Sequence, residues 1–313
     1  MHPVLLATSL VLFVLAADAT AQTAAPSSSS SSGTTRPDPV RRLILIAGRP
    51  SHPPLMHEFR AGCLLLQRCL AGVPGLHTEV HTNGWVADER VFEGAHAVFI
   101  YSDGGPKHPV EEANHLETLA ALARRGVGLG FAHYAVQVDS ERARAAFLEW
   151  TGGYYEHLKS VNPIWDAEFK TLPRHPITRG VTPFTTKDEW YFALTFRDGM
   201  KDLTPILVAR PSDATRDGPY VYPKGPYPHI QAAKGRDEVL MWATQRADGG
   251  RGFGFTGGHF HLNWGNDQQR KLVLNALVWL TGAEVPAGGV ESKVTEAELM
   301  QNLDPKPVPA RKK

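Results

Sequence analysis

A doubly wound α/β domain with a mostly parallel sheet is the expectation for this 313-residue chain, on three grounds. Short, wholly apolar runs such as Leu43-Ile44-Leu45-Ile46-Ala47 and Ala97-Val98-Phe99-Ile100-Tyr101 suit strands buried on both faces. Stretches with apolar residues at helical spacing separate them, and strands alternating with helices at this interval predict parallel pairing. Finally, Gly126-Val127-Gly128-Leu129-Gly130-Phe131-Ala132-His133-Tyr134 and Gly252-Phe253-Gly254-Phe255-Thr256-Gly257-Gly258-His259 read as glycine-interrupted strands, each ending on a histidine. Gly128 and Gly130 allow a neighbouring backbone to come close.

In chain order, Leu43 to Ala47 is the first strand, and Gly48 to Pro54 a turn-rich loop carrying His52. Phe59, Cys63, Leu66 and Leu70 mark a helix over Glu58 to Leu70. Leu76 to His81 and Ala97 to Tyr101 are strands, the latter running into Ser102-Asp103-Gly104-Gly105. A helix is expected from Pro109, with proline in its first turn, to Arg125, and Gly126 stops it. The glycine-rich strand follows, then a helix from about Ser140 to Trp150. Residues 151 to 235, rich in proline, glycine and tyrosine, read as an irregular insertion draped over the site, with short strands at Ile164 to Phe169 and Pro205 to Ala209. Val239 to Thr244 resumes the pattern. Asp267 is read as the cap of a last long helix, Gln268 to Leu280, which Gly282 ends. The tail holds one small helix opened by the capping box Thr295-Glu296-Ala297-Glu298.

The domain organisation follows: a signal peptide over 1–21, a Ser-rich linker over 22–40, the α/β domain over 41–283 and a tail over 284–313. Val4 to Ala17 is apolar but short, and Ala19-Thr20-Ala21 is a small-residue cleavage site, so the mature protein is expected in the periplasm or outside the cell, without a membrane span. Retention as an uncleaved anchor is the alternative, because the region before the apolar run carries only the amino terminus and His2. The 33 basic and 32 acidic residues nearly cancel, and the one basic cluster is Arg311-Lys312-Lys313, which argues against nucleic acid as a partner. Cys63 and Cys69 lie six apart in one helix, about 9 Å along its axis at about 1.5 Å per residue, too far to bridge without unwinding it.

Ligands of open parallel sheets bind beyond the carboxyl ends of the strands. Two strands end on His133 and His259 and a third leads to His52, so these imidazoles are expected on one edge, although each taken singly suits a structural turn equally well. Glu189, in Lys187-Asp188-Glu189-Trp190-Tyr191, is the acid expected to join them. His133, Glu189 and His259 are the catalytic candidates. His52, Asp103, Tyr134, Tyr191, His261 and Trp264 are candidates for substrate contact, with His261 placed on the side of His259 by strand alternation and Trp264 offering either a sugar-stacking face or core packing. His57 and His175 read as structural. No cofactor is signalled outright; His52, His133, His259 and Glu189 would suit a divalent metal, without a diagnostic spacing.

These residues also carry a resemblance. Gly126 to Ala135, His175-Pro176-Ile177-Thr178-Arg179-Gly180, Asp188-Glu189-Trp190-Tyr191 and Gly257-Gly258-His259 with Trp264 resemble, in order, motifs of the ThuA-like family. That family is named after a trehalose-utilisation protein and related in fold to class I glutamine amidotransferases, a flavodoxin-like architecture, and the similarity runs from about Leu43 to Gly282. It implies a role in carbohydrate metabolism, with a sugar, keto-sugar or glycoside as the small-molecule partner. In glutamine amidotransferases the elbow after the corresponding strand carries a nucleophilic cysteine; here that place is at or beside His133 and no cysteine is near, so glutamine hydrolysis is not expected and histidine/carboxylate acid–base chemistry, as in a sugar isomerase, lyase or hydrolase, is. Phe260-His261 stands where an acidic residue often follows the family's late histidine. The alternative is a non-catalytic carbohydrate-binding protein whose histidines only hydrogen-bond hydroxyls.

Overall fold

The computed structural model describes residues 40–306. The expected signal peptide, all but the last residue of the linker, and Arg311-Lys312-Lys313 lie outside them. Among the described residues no helix is long and apolar enough to cross a membrane.

The strands are β1 (Arg41–Ala47), β2 (Leu76–His81), β3 (Ala97–Tyr101), β4 (Gly128–Ala132), β5 (Gly153–Tyr154), β6 (Ile164–Phe169), β7 (Phe184–Glu189), β8 (Thr195–Phe196), β9 (Leu203–Ala209), β10 (Glu238–Gln245) and β11 (Arg251–Phe255). The α-helices are α1 (Phe59–Leu70), α2 (His115–Arg124), α3 (Glu141–Trp150), α4 (Asp213–Asp217), α5 (Pro228–Gln231), α6 (Asp267–Leu280) and α7 (Glu296–Leu299). Seven strands form the central sheet in the order β2-β1-β3-β4-β11-β10-β9. The first five of that order are parallel, and β10 runs antiparallel to both of its neighbours.

Alternation along β1 sets the two layers. Leu43 and Leu45 pack on one face with residues of α1 and α6, whereas Ile44 and Ile46 pack on the other with residues of α2 and α3. Both faces are therefore covered by helices, which is why the strands carry no polar alternation. The glycines of the paired strands β4 and β11 admit helix ends: a Cβ on Gly128 would lie 2.2 Å from the Leu280 carbonyl at the end of α6, and one on Gly252 2.0 Å from the Trp150 carbonyl at the end of α3. Neither contact leaves room for alanine, since the opposing atom is backbone.

The expected α/β architecture is present, with local corrections. The helix expected from Pro109 begins only at His115, because Pro109–Glu111 forms a single 3-10 turn and Ala113 takes φ of 45°, which no helix accommodates. The cap of α6 is Asn266, whose side chain accepts from the Gln268 and Gln269 amides; Asp267 is already inside the helix. The insertion is only partly draped over the site. β6 and β7 form a separate antiparallel pair, but β9 completes the central sheet as its edge.

Candidate functional site

Four carboxyl-end segments of the central sheet, and the end of β7, deliver the site. His133 follows β4 directly and takes φ of 53° at the start of a 3-10 turn, so the chain reverses sharply and the imidazole stands over the sheet edge. After β11 the chain passes through Gly258, at φ of 110°, to His259. Asp103 follows β3, Glu189 ends β7, and the loop after β1 carries His52 and His57 in left-handed conformations, φ of 61° and 49°.

His57, His133, Glu189 and His259 are all buried, and each points one donor atom at the same spot. His57 Nε2 lies 3.0 Å from His133 Nε2 and 3.0 Å from His259 Nδ1, and His133 Nε2 lies 3.3 Å from His259 Nδ1. Glu189 Oε2 closes the group, 2.7 Å from His259 Nδ1 and 3.5 Å from His133 Nε2. The rest of each ring explains these contacts. His57 donates from Nδ1 to Asp103 Oδ1 at 2.8 Å, and His133 donates from Nδ1 to the Thr256 carbonyl at 3.0 Å. A neutral imidazole has one N–H, so both Nε2 atoms face each other as lone pairs. They repel unless a cation lies between them. A third nitrogen and a carboxylate oxygen aimed at the same point are more than a single shared proton requires, and spacings near 3 Å match the edges of a coordination shell with bonds of about 2.0–2.1 Å.

Behind these donors sits a supporting layer. Asp188 accepts from the backbone amides of Glu189, Gly258 and His259 at 2.8, 2.8 and 3.1 Å and from Asn263 Nδ2 at 3.0 Å, fixing the His259 turn against β7. The Tyr191 hydroxyl lies 3.1 Å from His133 Nε2, beside the shared point, and Asn162 Nδ2 donates to the second Glu189 oxygen at 2.8 Å. Burial opposes charge on Glu189, but its contacts with the His133 and His259 rings hold its pKa down at about 2. Burial likewise opposes charge on His133, yet the Glu189 carboxylate raises its pKa above the ordinary histidine value, so this carboxylate favours a positive charge, proton or metal ion, at the shared point. His57 goes the other way, depressed by burial and by the neighbouring imidazoles.

Two members of the cluster, His57 and Glu189, line a cavity of about 540 Å³ together with His52, Asp103, Tyr134 and Tyr191, and His133 and His259 lie behind them. His133, Glu189 and His259, expected together, are brought together. His52 is not among the converging donors: its ring stacks on that of His57 at 3.5 Å, and His57 takes the position expected of it. His57, read as structural from its place just ahead of a helix, is the member of the converging set that the sequence reading missed. The available signal was a second histidine in the loop after β1, at the edge where His52 already pointed.

Two expected substrate contacts are corrected. His261 belongs to a 3-10 turn and not to a strand, so alternation does not apply; it is buried and donates from Nε2 to the Leu299 carbonyl, towards the tail. Trp264 is fully buried between Tyr101 and Phe255 and offers no face to the cavity. His175 caps the turn Pro176–Thr178 and packs against Trp279. Cys63 is buried in the core with its thiol pKa pushed up by burial, and neither cysteine lines the cavity.

The family model ThuA, described as trehalose utilisation, matches residues 72–280. The match contains His133, Glu189 and His259; it starts later than the expected Leu43, so His52 and His57 precede it. No curated protein matches the chain. Among solved structures, a ThuA-like protein from Bacteroides uniformis is similar at 14% identity over 77% of this chain and 91% of that one, with a TM-score of 0.55. A ThuA-like protein from Parabacteroides merdae is similar at 15% identity over 82% and 94%, with a TM-score of 0.50. At such identities the likeness concerns the fold. The family model spans more than half of the sequence, and the chain belongs to the ThuA, trehalose utilisation, family.

Proposed function

We propose that His57, His133, His259 and Glu189 hold a divalent transition metal, and that the protein is an exported enzyme of carbohydrate metabolism acting on a sugar, keto-sugar or glycoside. The observation that carries this reading is the convergence of three imidazole nitrogens and one carboxylate oxygen on a buried point, with the Nδ1 protons of His57 and His133 already given to Asp103 and Thr256. Such a set suits zinc first and other first-row ions next. An ion there would polarise a sugar carbonyl or hydroxyl oxygen and ease its deprotonation.

The chain's own groups complete the chemistry. Ser51 gives its only hydroxyl proton to Asp103 at 2.9 Å, so its oxygen accepts from His52 Nδ1 at 3.0 Å, leaving His52 Nε2 to take a proton from substrate. Tyr134 lines the same cavity, and burial with nearby Asp103 pushes its pKa up to about 12, so it stays protonated and can donate to a sugar oxygen. Proton abstraction beside a carbonyl, isomerisation and elimination all need this pairing of a base with a polarised oxygen. Family membership supports a carbohydrate ligand, the near balance of charge supports a small ligand over a polyanion, and the apolar leader ending in Ala19-Thr20-Ala21 supports export.

Metal analysis of the purified protein, followed by turnover of a panel of glycosides and keto-sugars with and without chelator, tests the reading. The expected result is about one ion per chain and activity that chelator removes and zinc or a related ion restores. A protein that takes up no such ion, or whose activity ignores the chelator, would contradict it; sugar binding without turnover would favour the binding-protein alternative.

A further inference from the structure

We infer that a pocket at the amino ends of the parallel strands, on the opposite edge of the sheet from the histidine cluster, binds the phosphate group of a free phosphate ion or of a phosphate monoester through Arg41, Arg125 and Arg251. Such a site is independent of the metal and the sugar proposed above.

Parallel pairing gathers the amino ends of strands on one edge just as it gathers their carboxyl ends on the other. β1 begins at Arg41, β11 at Arg251, β3 directly after His96 and β4 shortly after Gly126, and these four strands are neighbours in the sheet. Arg41, His96, Gly126 and Arg251 all line a pocket of about 240 Å³. Its remaining wall comes from two helix ends: Arg125 follows α2, and Thr281 and Gly282 follow α6. The length of β4 separates Val127, in this pocket, from His133, a span of about 20 Å at about 3.3 Å per residue. The volume falls just below the roughly 300–1,000 Å³ of typical small-molecule sites, which suits a small ion or a single anionic group.

Charge in this pocket is one-sided. Its lining holds three arginines and no acid. The acids around it are taken by other arginines: Glu79 pairs with Arg42 at 2.6 Å, Asp248 with Arg246 at 3.2 Å, and Glu284 with Arg179, whereas Arg41, Arg125 and Arg251 have no ion-pair partner among the described residues. Arginine at the end of a helix also has a structural use, because the carbonyl end carries about half a negative charge. Two such ends offset about one of the three positive charges, and about two remain, which matches a dianion. Arg251 is fixed in place: it donates from Nη1 to the Trp279 carbonyl at 2.6 Å, and its guanidinium lies over the Trp279 ring at 5.1 Å. Neither contact supplies a counter-charge of its own. Burial and then the Arg41 charge push the Arg251 pKa down, with Glu284 as the opposing influence. His96 accepts the Arg42 amide on Nδ1 at 3.1 Å, and burial with Arg41 and Arg42 lowers its pKa, so the cations here are the arginines. Guanidinium forks grip phosphate oxygens in pairs, where lysine offers only a point charge.

Calorimetric titration of the full chain with inorganic phosphate and with glucose 6-phosphate, against sodium chloride at matched ionic strength, tests this. Phosphate groups should saturate a single site per chain, and chloride should give no saturable heat. Tighter binding of inorganic phosphate assigns the site to the free ion, tighter binding of glucose 6-phosphate assigns it to an ester, and equal binding assigns it to the phosphate group alone. Arg41→Gln and Arg125→Gln should each weaken that binding about tenfold, the loss of one charge-assisted partner, while the melting temperature of the ligand-free protein stays the same. Arg251→Lys keeps the charge but removes the fork, so it should weaken binding as well. Absence of saturable binding by both phosphate compounds would overturn the site. So would an affinity that survives Arg41→Gln and Arg125→Gln combined, since the phosphate would then sit elsewhere on the protein.

Discussion

Asp103 does for His57 what the Thr256 carbonyl does for His133: each accepts the Nδ1 proton and so leaves Nε2 as a lone pair aimed at the shared point. The two devices differ in how they can be altered. A backbone carbonyl cannot be mutated, but Asp103→Asn replaces a pure acceptor with a group that can also donate, which permits the other tautomer of His57. Metal affinity in Asp103→Asn should fall about 10–100-fold, read by competition with a chromogenic chelator, while the melting temperature of the metal-free protein changes little. An unchanged affinity would mean that Asp103 does not set the tautomer. The same residue also receives Ser51, so the variant should weaken the orientation of His52 and lower turnover beyond the loss of metal.

At the scale of elements, the last described residues act as a strap on the loop that carries His57. Lys306 Nζ donates to the carbonyls of Met56 and His57, the second at 3.1 Å, and pairs with Glu58 at 3.2 Å with both side chains buried. Glu58 also accepts from the Leu55 and Asp304 amides, each at 2.9 Å. A loop with left-handed residues at His52, Leu55 and His57 needs such contacts from outside, since nothing in its own conformation favours it. Lys306→Met leaves Glu58 buried without its partner and should destabilise the fold by about 3–5 kcal/mol in urea unfolding. Adding Glu58→Gln should recover much of that loss, and a double-mutant cycle measures the coupling. Additive losses would mean that the pair does not act as one unit.

Global stability should depend on pH through a histidine outside the cluster. His108 is fully buried; it donates from Nε2 to the Ala135 carbonyl at 2.9 Å and accepts at Nδ1 from the Val110 amide at 3.0 Å, so both nitrogens are satisfied only when the ring is neutral. Burial lowers its pKa to about 4, against an ordinary 6.5. A folded pKa below the unfolded one makes this contribution fully present above about pH 6.5 and progressively lost as pH falls towards 4. Between pH 7.5 and 5 the loss from this group is about 2 kcal/mol. His108→Asn, which keeps an acceptor near the Val110 amide, should flatten the acid side of the stability curve by about that amount in urea titrations at the two pH values. His175, also lowered to about 4 by burial and two arginines, contributes in the same direction and stays in place in both proteins.

Periodicity and glycine punctuation are local properties, and what depends on them could be read from the residues in order. The apolar run of β1 and the spacing of α1 were legible because both faces of the sheet are covered, and His133 and His259 were legible because glycine-rich strands deliver them to a known edge. The late start of α2 was hidden, since one positive φ at Ala113 outweighs the helix signal of Pro109. So was the place of β9, because a strand's neighbours in a sheet are settled by long-range pairing and not by its composition. His57 was hidden most completely. Its arrival beside His133 and His259 depends on left-handed backbone in its own loop, on its amide donating to the His259 carbonyl at 3.1 Å, and on Lys306, 249 residues away in the chain. The strand ends that aim at the site are written in neighbouring residues; the fourth donor exists only once distant segments have closed around it, because contacts between those segments hold a conformation that its own loop would not adopt alone.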